Sequence, residues 1–305
     1  MRTLFTLRSD RLTAVFDPDG ARLRRLHLDD GPNLVLDVDE ATTPALRDCY
    51  GGAIVGPLAN RVRDGKAPVN GVTHQMPRNE NGITALHSGP DGLDRARWTV
   101  AAHGADAVHL THHLPAFHGG LPGARDVSLR AQVTDTTLML RITLTTDTPT
   151  PVSIAHHPYW RVTPDHLLHI NATHYLPTDD RNLPTGQITP VADTVFDHRT
   201  PRRIHADTDH NFCISRAVAA TPQHMATLAT GQHRLDIYST EPGLQAYSGA
   251  FLPHIPQADI APLSGIALEP QGWPDAVNHP TFPSVICTPD HPYSQTTRYR
   301  VQPAT

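Results

Sequence analysis

Lysine is almost missing from this 305-residue chain: of its 25 lysines and arginines, only Lys66 is a lysine. Lys66 does not close a GxxxxG stretch, which excludes a phosphate-cradling P-loop. Schiff-base chemistry would rest on that one amine. Cysteine is scarce too. Cys49, Cys213 and Cys287 are odd in number, far apart and without CxxC spacing. That pattern argues against a disulfide framework or a thiolate zinc site and fits a reducing compartment. No run approaches the ~18 apolar residues of a membrane span. The first ten residues hold Arg2, Arg8 and Asp10 and no apolar leader segment. The expectation is a soluble, cytoplasmic protein. Charge is thin as well, at 18% of residues with a net charge of −5. Composition therefore offers no basic surface for nucleic acid or anionic lipid.

Proline, glycine and histidine are plentiful, at 29, 20 and 21 residues. So many prolines and glycines argue against a helical bundle or a coiled coil. The hydrophobic share, 38%, is enough for a sizeable core. Residues 127–133 alternate apolar and polar side chains, 138–144 do so more loosely, and 134–137 between them predict a hairpin loop. Further strands are expected at 12–16, 21–28, 107–114, 152–155, 235–238 and 266–268. Turn clusters such as Asp17-Pro18-Asp19-Gly20, Asn70-Gly71 and Glu241-Pro242-Gly243 punctuate them. Many short strands with such turns predict an all-β sandwich or barrel of antiparallel sheets with few short helices. Without a linker or an internal repeat, one domain over residues 1–305 is expected.

Among polar side chains, His109, His112, His113 and His118 form the densest cluster. No HExxH helix accompanies them, so they read as a surface feature, and no metal is expected. Ser153-Ile154-Ala155-His156-His157-Pro158-Tyr159-Trp160 differs, because a histidine between a strand and aromatic rings can be held firmly as a general acid. Taken alone, such a histidine is more often a satisfied structural one. In Gly265-Ile266-Ala267-Leu268-Glu269-Pro270-Gln271 an acid ends an apolar strand. Burial would raise its pKa towards that of a general base, and a solvent-facing strand end fits the segment equally. Asn60-Arg61, His87 and Asp209 are further polar groups in apolar surroundings, each weak alone.

Together these segments resemble the aldose 1-epimerase (galactose mutarotase) family, in order and through nearly the whole chain. Gly51-Gly52-Ala53-Ile54-Val55-Gly56 with Ala59-Asn60-Arg61-Val62 looks like the family's early glycine-rich block. Leu86-His87-Ser88-Gly89 looks like its Leu-His-Gly-Gly block, and His157-Pro158-Tyr159-Trp160 like its Asn-His-x-Tyr-Phe motif. Asp209-His210-Asn211-Phe212, Thr240-Glu241-Pro242-Gly243-Leu244-Gln245 and Leu268-Glu269-Pro270-Gln271 follow in place. Three positions depart from the pattern. Pro57 stands where the family usually has Arg, and His156 and Ala250 stand where it has Asn.

The resemblance implies a single-domain β-supersandwich of galactose mutarotase type, with an open sugar-binding cleft and no cofactor. It implies interconversion of the α and β anomers of a free aldose. Glu269 would be the base and His157 the acid, with Arg61, His87, Asp209 and Asn60 binding the sugar. Such chemistry calls for an acid and a base on opposite sides of a small polar molecule. Trp160 or Tyr247 could pack on the sugar's apolar face. The expected partner is a small-molecule aldose, with no nucleic acid or membrane, and the chain would act as a monomer or homodimer. Alternatives on the same fold are a hexose-6-phosphate mutarotase and a non-catalytic sugar-binding protein. A glycosidase using Glu269 with Asp209 and a β-sandwich without a sugar site also stay open.

Overall fold

The computed structural model describes residues 3–304. Alternation decides its largest sheet. In the strand Arg125–Thr134, Val127, Leu129, Ala131 and Val133 are buried while Asp126 and Arg130 are exposed. Its partner Thr137–Thr146 buries Leu138, Leu140, Ile142 and Leu144, each directly opposite one of those four. Because side chains alternate across a strand, this register lays one continuous apolar face on the core. Thr134 pairs with Thr137, so only Asp135 and Thr136 make the turn, two residues rather than the four expected. The two threonines extend the strands, as β-branched residues favour, and Asp135 takes the positive φ of 48°.

Eight antiparallel strands form that sheet. Their order is Leu167–Ile170, Gln223–Ala229, His233–Ser239, Tyr293–Pro303, Thr137–Thr146, Arg125–Thr134, Ala107–Leu114 and Thr99–His103. A six-stranded antiparallel sheet packs against it, ordered Tyr159–Arg161, Gly265–Gln271, Gly243–Tyr247, Asp209–Cys213, His174–Leu176 and Thr189–Pro190. The core between them joins Leu129, Leu140, Ile237 and Tyr299 of the first to Trp160, Phe212, Leu244 and Leu268 of the second. The Trp160 and Tyr299 rings meet with centroids 5.0 Å apart. A three-stranded sheet, Phe5–Arg8, Leu12–Asp17 and Arg22–Leu28, adds Leu7, Phe16, Leu23 and Leu26 to the same core. The expected all-β supersandwich is thus observed, and the helical elements among the described residues are short 3-10 turns.

One expected strand shrinks. Only Ala155–His156 of the segment 152–155 and its extension forms a ladder, with Ile54–Val55. Its partner segment continues into Pro57, which has no N–H to donate. Single bonds replace the ladder there, Ser153 N–H to Pro57 O and Ala59 N–H to Ser153 O, each 2.7 Å. Among the described residues no helix is long and apolar enough to cross a membrane. Cys49, Cys213 and Cys287 are free thiols.

Candidate active site

The six-stranded sheet has two faces. Ile266, Leu268, Leu244, Ala246, Phe212 and Trp160 point into the core. By alternation the intervening residues Glu269, Gln245, Tyr247, Asp209 and Tyr159 point the other way. Register brings them together: Glu269 stands opposite Gln245, and Tyr247 opposite both Ala267 and Asp209. Four of the five, Glu269, Tyr247, Asp209 and Tyr159, line a cleft of about 210 Å³, whose other walls include Tyr50, Asn60, Arg61, His87, His157 and Asn182. All six residues singled out in the sequence, Asn60, Arg61, His87, His157, Asp209 and Glu269, therefore share one cleft.

Glu269 lies inside the strand Gly265–Gln271, not at its end, and every residue of that strand is buried. His157 Nε2 is 3.5 Å from Glu269 Oε1. Burial pushes the Glu269 carboxyl well above the usual carboxylate range; the Asp209 charge adds to this and Arg61 opposes it. Burial also pulls His157 down to about 4, helped by the positive charge of Arg22. The two stand side by side, where an acid and a base on opposite sides of the substrate had been expected. Both oxygens that exchange protons in a ring opening hang on one carbon, so adjacent groups can serve them.

The loop before the site fixes His157 by its backbone. Gly52 N–H donates to His157 O at 2.7 Å, and His157 N–H to Ala53 O at 2.9 Å. Gly52 is required for this, because it has φ +73° and an added Cβ would lie 2.1 Å from Leu23 O. Arg22, nearly fully buried, donates to Gly51 O and to Glu40, the latter at 2.6 Å. Rings complete the wall. His157 neighbours His87 and Tyr159 with centroids 5.5 and 5.1 Å away, and Tyr50 lies 4.6 Å from His87.

His87 accepts the Asn60 backbone N–H on Nδ1 at 3.1 Å, so the ring hydrogen resides on Nε2. Burial holds His87 well below its ordinary range, with His157, Arg61 and Arg95 adding to the effect. It is a neutral donor. Asn60 Oδ1 in turn accepts Arg61 N–H at 2.8 Å, and Asn60 takes a positive φ of 64° to do so. Arg61 is clamped. Its Nε and Nη2 donate to Glu80 at 2.9 Å, and its Nη1 donates to Asp209 Oδ2 at 3.2 Å. Burial disfavours that guanidinium charge, and Asp209 and Glu80 more than restore it. Asp209 Oδ1 accepts from Gln245 Nε2 at 2.6 Å.

Sequence reading missed Glu80, Gln245, Tyr50, Tyr159 and Asn182. Alternation in Gly243-Leu244-Gln245-Ala246-Tyr247 pairs Gln245 with Tyr247 and could have found it. Glu80 stands between two asparagines, where it forms a bridge with Thr84, and gave no signal. Of the two aromatic candidates, Tyr247 lines the cleft, whereas Trp160 faces the core because it is one residue out of phase with Tyr159. His109 and His113 lie on the outer face of the eight-stranded sheet, beside Ser128 and Asp126 at 2.8 and 2.7 Å.

The family model described as aldose 1-epimerase matches residues 3–300. The galactose mutarotase of Rattus norvegicus is 31% identical over 319 residues, covering 97% of this chain and 93% of that protein. The aldose 1-epimerase of Escherichia coli strain K12 is 30% identical over 278 residues, covering 82% and 79%. The chain belongs to the aldose 1-epimerase family. A solved aldose epimerase homologue from C. elegans superposes with a TM-score of 0.91 at 26% identity, covering all of both chains. The galactose 1-epimerase of Lactobacillus acidophilus gives 0.86 at 24% identity, covering 98% and 94%, and shows the same fold. For an aldose 1-epimerase family member the three departures fall away from the cleft lining. His156 points inward, its Nδ1 3.1 Å from the Tyr299 hydroxyl. Pro57 and Ala250 line no part of the cleft.

Proposed function

We propose that this protein interconverts the α and β anomers of a free aldose by ring opening, with Glu269 as base and His157 as acid. The observation that carries the reading is the buried histidine–carboxylate pair on the cleft wall, 3.5 Å apart. In the opening step Glu269 takes the proton of the anomeric hydroxyl. The electron pair left on that oxygen forms the C1 carbonyl as the bond from C1 to the ring oxygen breaks. His157 protonates the departing ring oxygen. Rotation about C1–C2 then presents the other carbonyl face, and the same transfers in reverse close the ring. Proton transfers by positioned groups each contribute about 10²–10⁴-fold.

Arg61, His87, Asn60 and Asp209 bind and orient the sugar. His87 Nε2–H and the Arg61 fork supply donors for oxygen atoms that gain charge. Asp209 accepts sugar hydroxyls on whatever lone pairs Gln245 and Arg61 leave free. The charge balance supports an uncharged sugar over a sugar phosphate, since Glu80 and Asp209 already engage the Arg61 guanidinium. Three free thiols support a reducing, cytoplasmic location.

Polarimetry on freshly dissolved α-galactose and α-glucose tests the activity. EDTA-treated protein should speed equilibration of at least one aldose. No acceleration across a broad panel of hexoses and pentoses would overturn the reading.

A further inference from the structure

A second cleft, of about 500 Å³, shares no lining residue with the first. It opens between the loop at Val218, the segment around Ile286 and the start of the interior strand Tyr293–Pro303 of the eight-stranded sheet, at Ser294 and Thr296. Its volume lies in the range of small-molecule pockets. The lips are apolar and unusually open, with Val218 54% and Ile286 38% exposed. Val152, Pro242 and Val285 continue the apolar lining inward.

At the rim is Arg141, which stands opposite Thr296 on one neighbouring strand and opposite Arg130 on the other. Among the described residues Arg141 has no ion-pair partner, unlike Arg24, Arg61 and Arg95, each held by carboxylates. Like charges directly opposite on neighbouring strands repel. Arg130 lies on the side away from the cleft, so an anion in the cleft would sit beside Arg141 and offset that repulsion. The cleft's carboxyl group does not supply that anion. Glu241 is buried, its Oε1 accepts the Tyr293 hydroxyl at 3.1 Å, and burial pushes it up to about 8. At neutral pH it is mostly protonated, so it neither neutralises Arg141 nor repels a guest.

We propose that this cleft is a second small-molecule site that takes a carboxylate with an apolar body. Its carboxylate lies on Arg141 and its hydrocarbon part between Val218 and Ile286. A flat guanidinium fork matches a carboxylate, and one unpaired cation matches one negative charge. A free sugar, polar all round, would leave the valine and isoleucine walls without apolar contact.

The test uses the fluorescence of anilinonaphthalene sulfonate as an amphipathic anionic probe and octanoate as competitor. Probe binding should saturate, fall on adding octanoate and resist galactose. Arg141→Gln should weaken octanoate about 10- to 100-fold, the cost of losing one charge-assisted contact. Arg141 is exposed, so this variant keeps the fold. Arg298→Gln, on the same sheet but outside the cleft lining, should change nothing. Methyl NMR should show Val218, Val285 and Ile286 shifting as octanoate is added. Unchanged affinity in Arg141→Gln, an equal loss in Arg298→Gln, displacement by galactose or still methyl signals would each overturn the proposal.

Discussion

His157 Nε2 and Glu269 Oε1 lie 3.5 Å apart, with only 6% and 2% of their side-chain surfaces open to solvent. Removal from water disfavours the charged form of each group, so at rest the pair keeps its one proton on the carboxyl beside a neutral ring. Passing that proton to His157 Nε2 gives the ionised base and charged acid that the opening step uses. A bound sugar joins this pair through the two oxygens on its anomeric carbon. The acid and the base are then neighbours on one wall, and the proton that one takes up is close to the one that the other gives.

Substitution of either partner should therefore silence the pair. Glu269→Gln or His157→Gln should lower kcat by about 10²–10⁴, or roughly 3–5 kcal/mol. The double variant should be little worse than the poorer single, because groups acting as a unit are non-additive. Polarimetry with circular dichroism as a folding control measures this. A loss of only a few-fold with unchanged dichroism would remove that residue from the mechanism.

The pH profile of kcat/KM should be a bell with an unusual assignment. The reactive state of the pair holds one proton. Below about 4 His157 gains a second proton, and activity falls on the acid side. Above the raised pKa of Glu269 the last proton leaves, and activity falls on the alkaline side. The acid limb thus reports the histidine and the alkaline limb the carboxyl, the reverse of their order in water. An acid limb near 6.5, where unperturbed histidine titrates, would contradict the depressed His157.

Arg22 should tune that acid limb from outside the cleft. Its charge lowers His157, and its bond to Gly51 O steadies the loop whose Gly52 holds the His157 carbonyl. Arg22→Met removes the charge, so the His157 pKa rises and the acid limb moves to higher pH, with kcat reduced. Arg22→Lys keeps the charge and loses the fork; its acid limb should stay near that of the parent while kcat still falls. A profile unmoved in Arg22→Met would leave Arg22 a purely structural residue.

Glu80 should act on binding through Arg61. Glu80→Gln removes the charge that holds Nε and Nη2 in place and frees the guanidinium to swing. KM should rise by about tenfold, as expected for loss of one charge-assisted pair, while kcat changes little. Steady-state polarimetry separates the two, and a fall in kcat at constant KM would refute the positioning role.

Much of this molecule was legible in its residues. Alternation at 127–133 and 138–144 located the central hairpin, because a period of two has one inward face. The loop at 134–137 was overestimated, since threonine serves a strand end or a turn and only pairing decides. The motif blocks named the six cleft residues. They could not show that those residues meet, because Arg61 and Glu269 are brought together by different elements.

Sequence by itself determined the strand-rich class, the scarcity of lysine and thiols, and the chemical types at positions 60, 61, 87, 157, 209 and 269. Tertiary structure alone decided how they act. Register on the six-stranded sheet sends Tyr159 and Tyr247 to the cleft and Trp160 to the core. Packing closes around Glu269 and His157 and moves their pKa values in opposite directions. Glu80, silent in the chain, becomes the anchor of Arg61. The reason is physical: desolvation and charge–charge distance depend on what folds beside a residue, and neighbours far along the chain supply most of both.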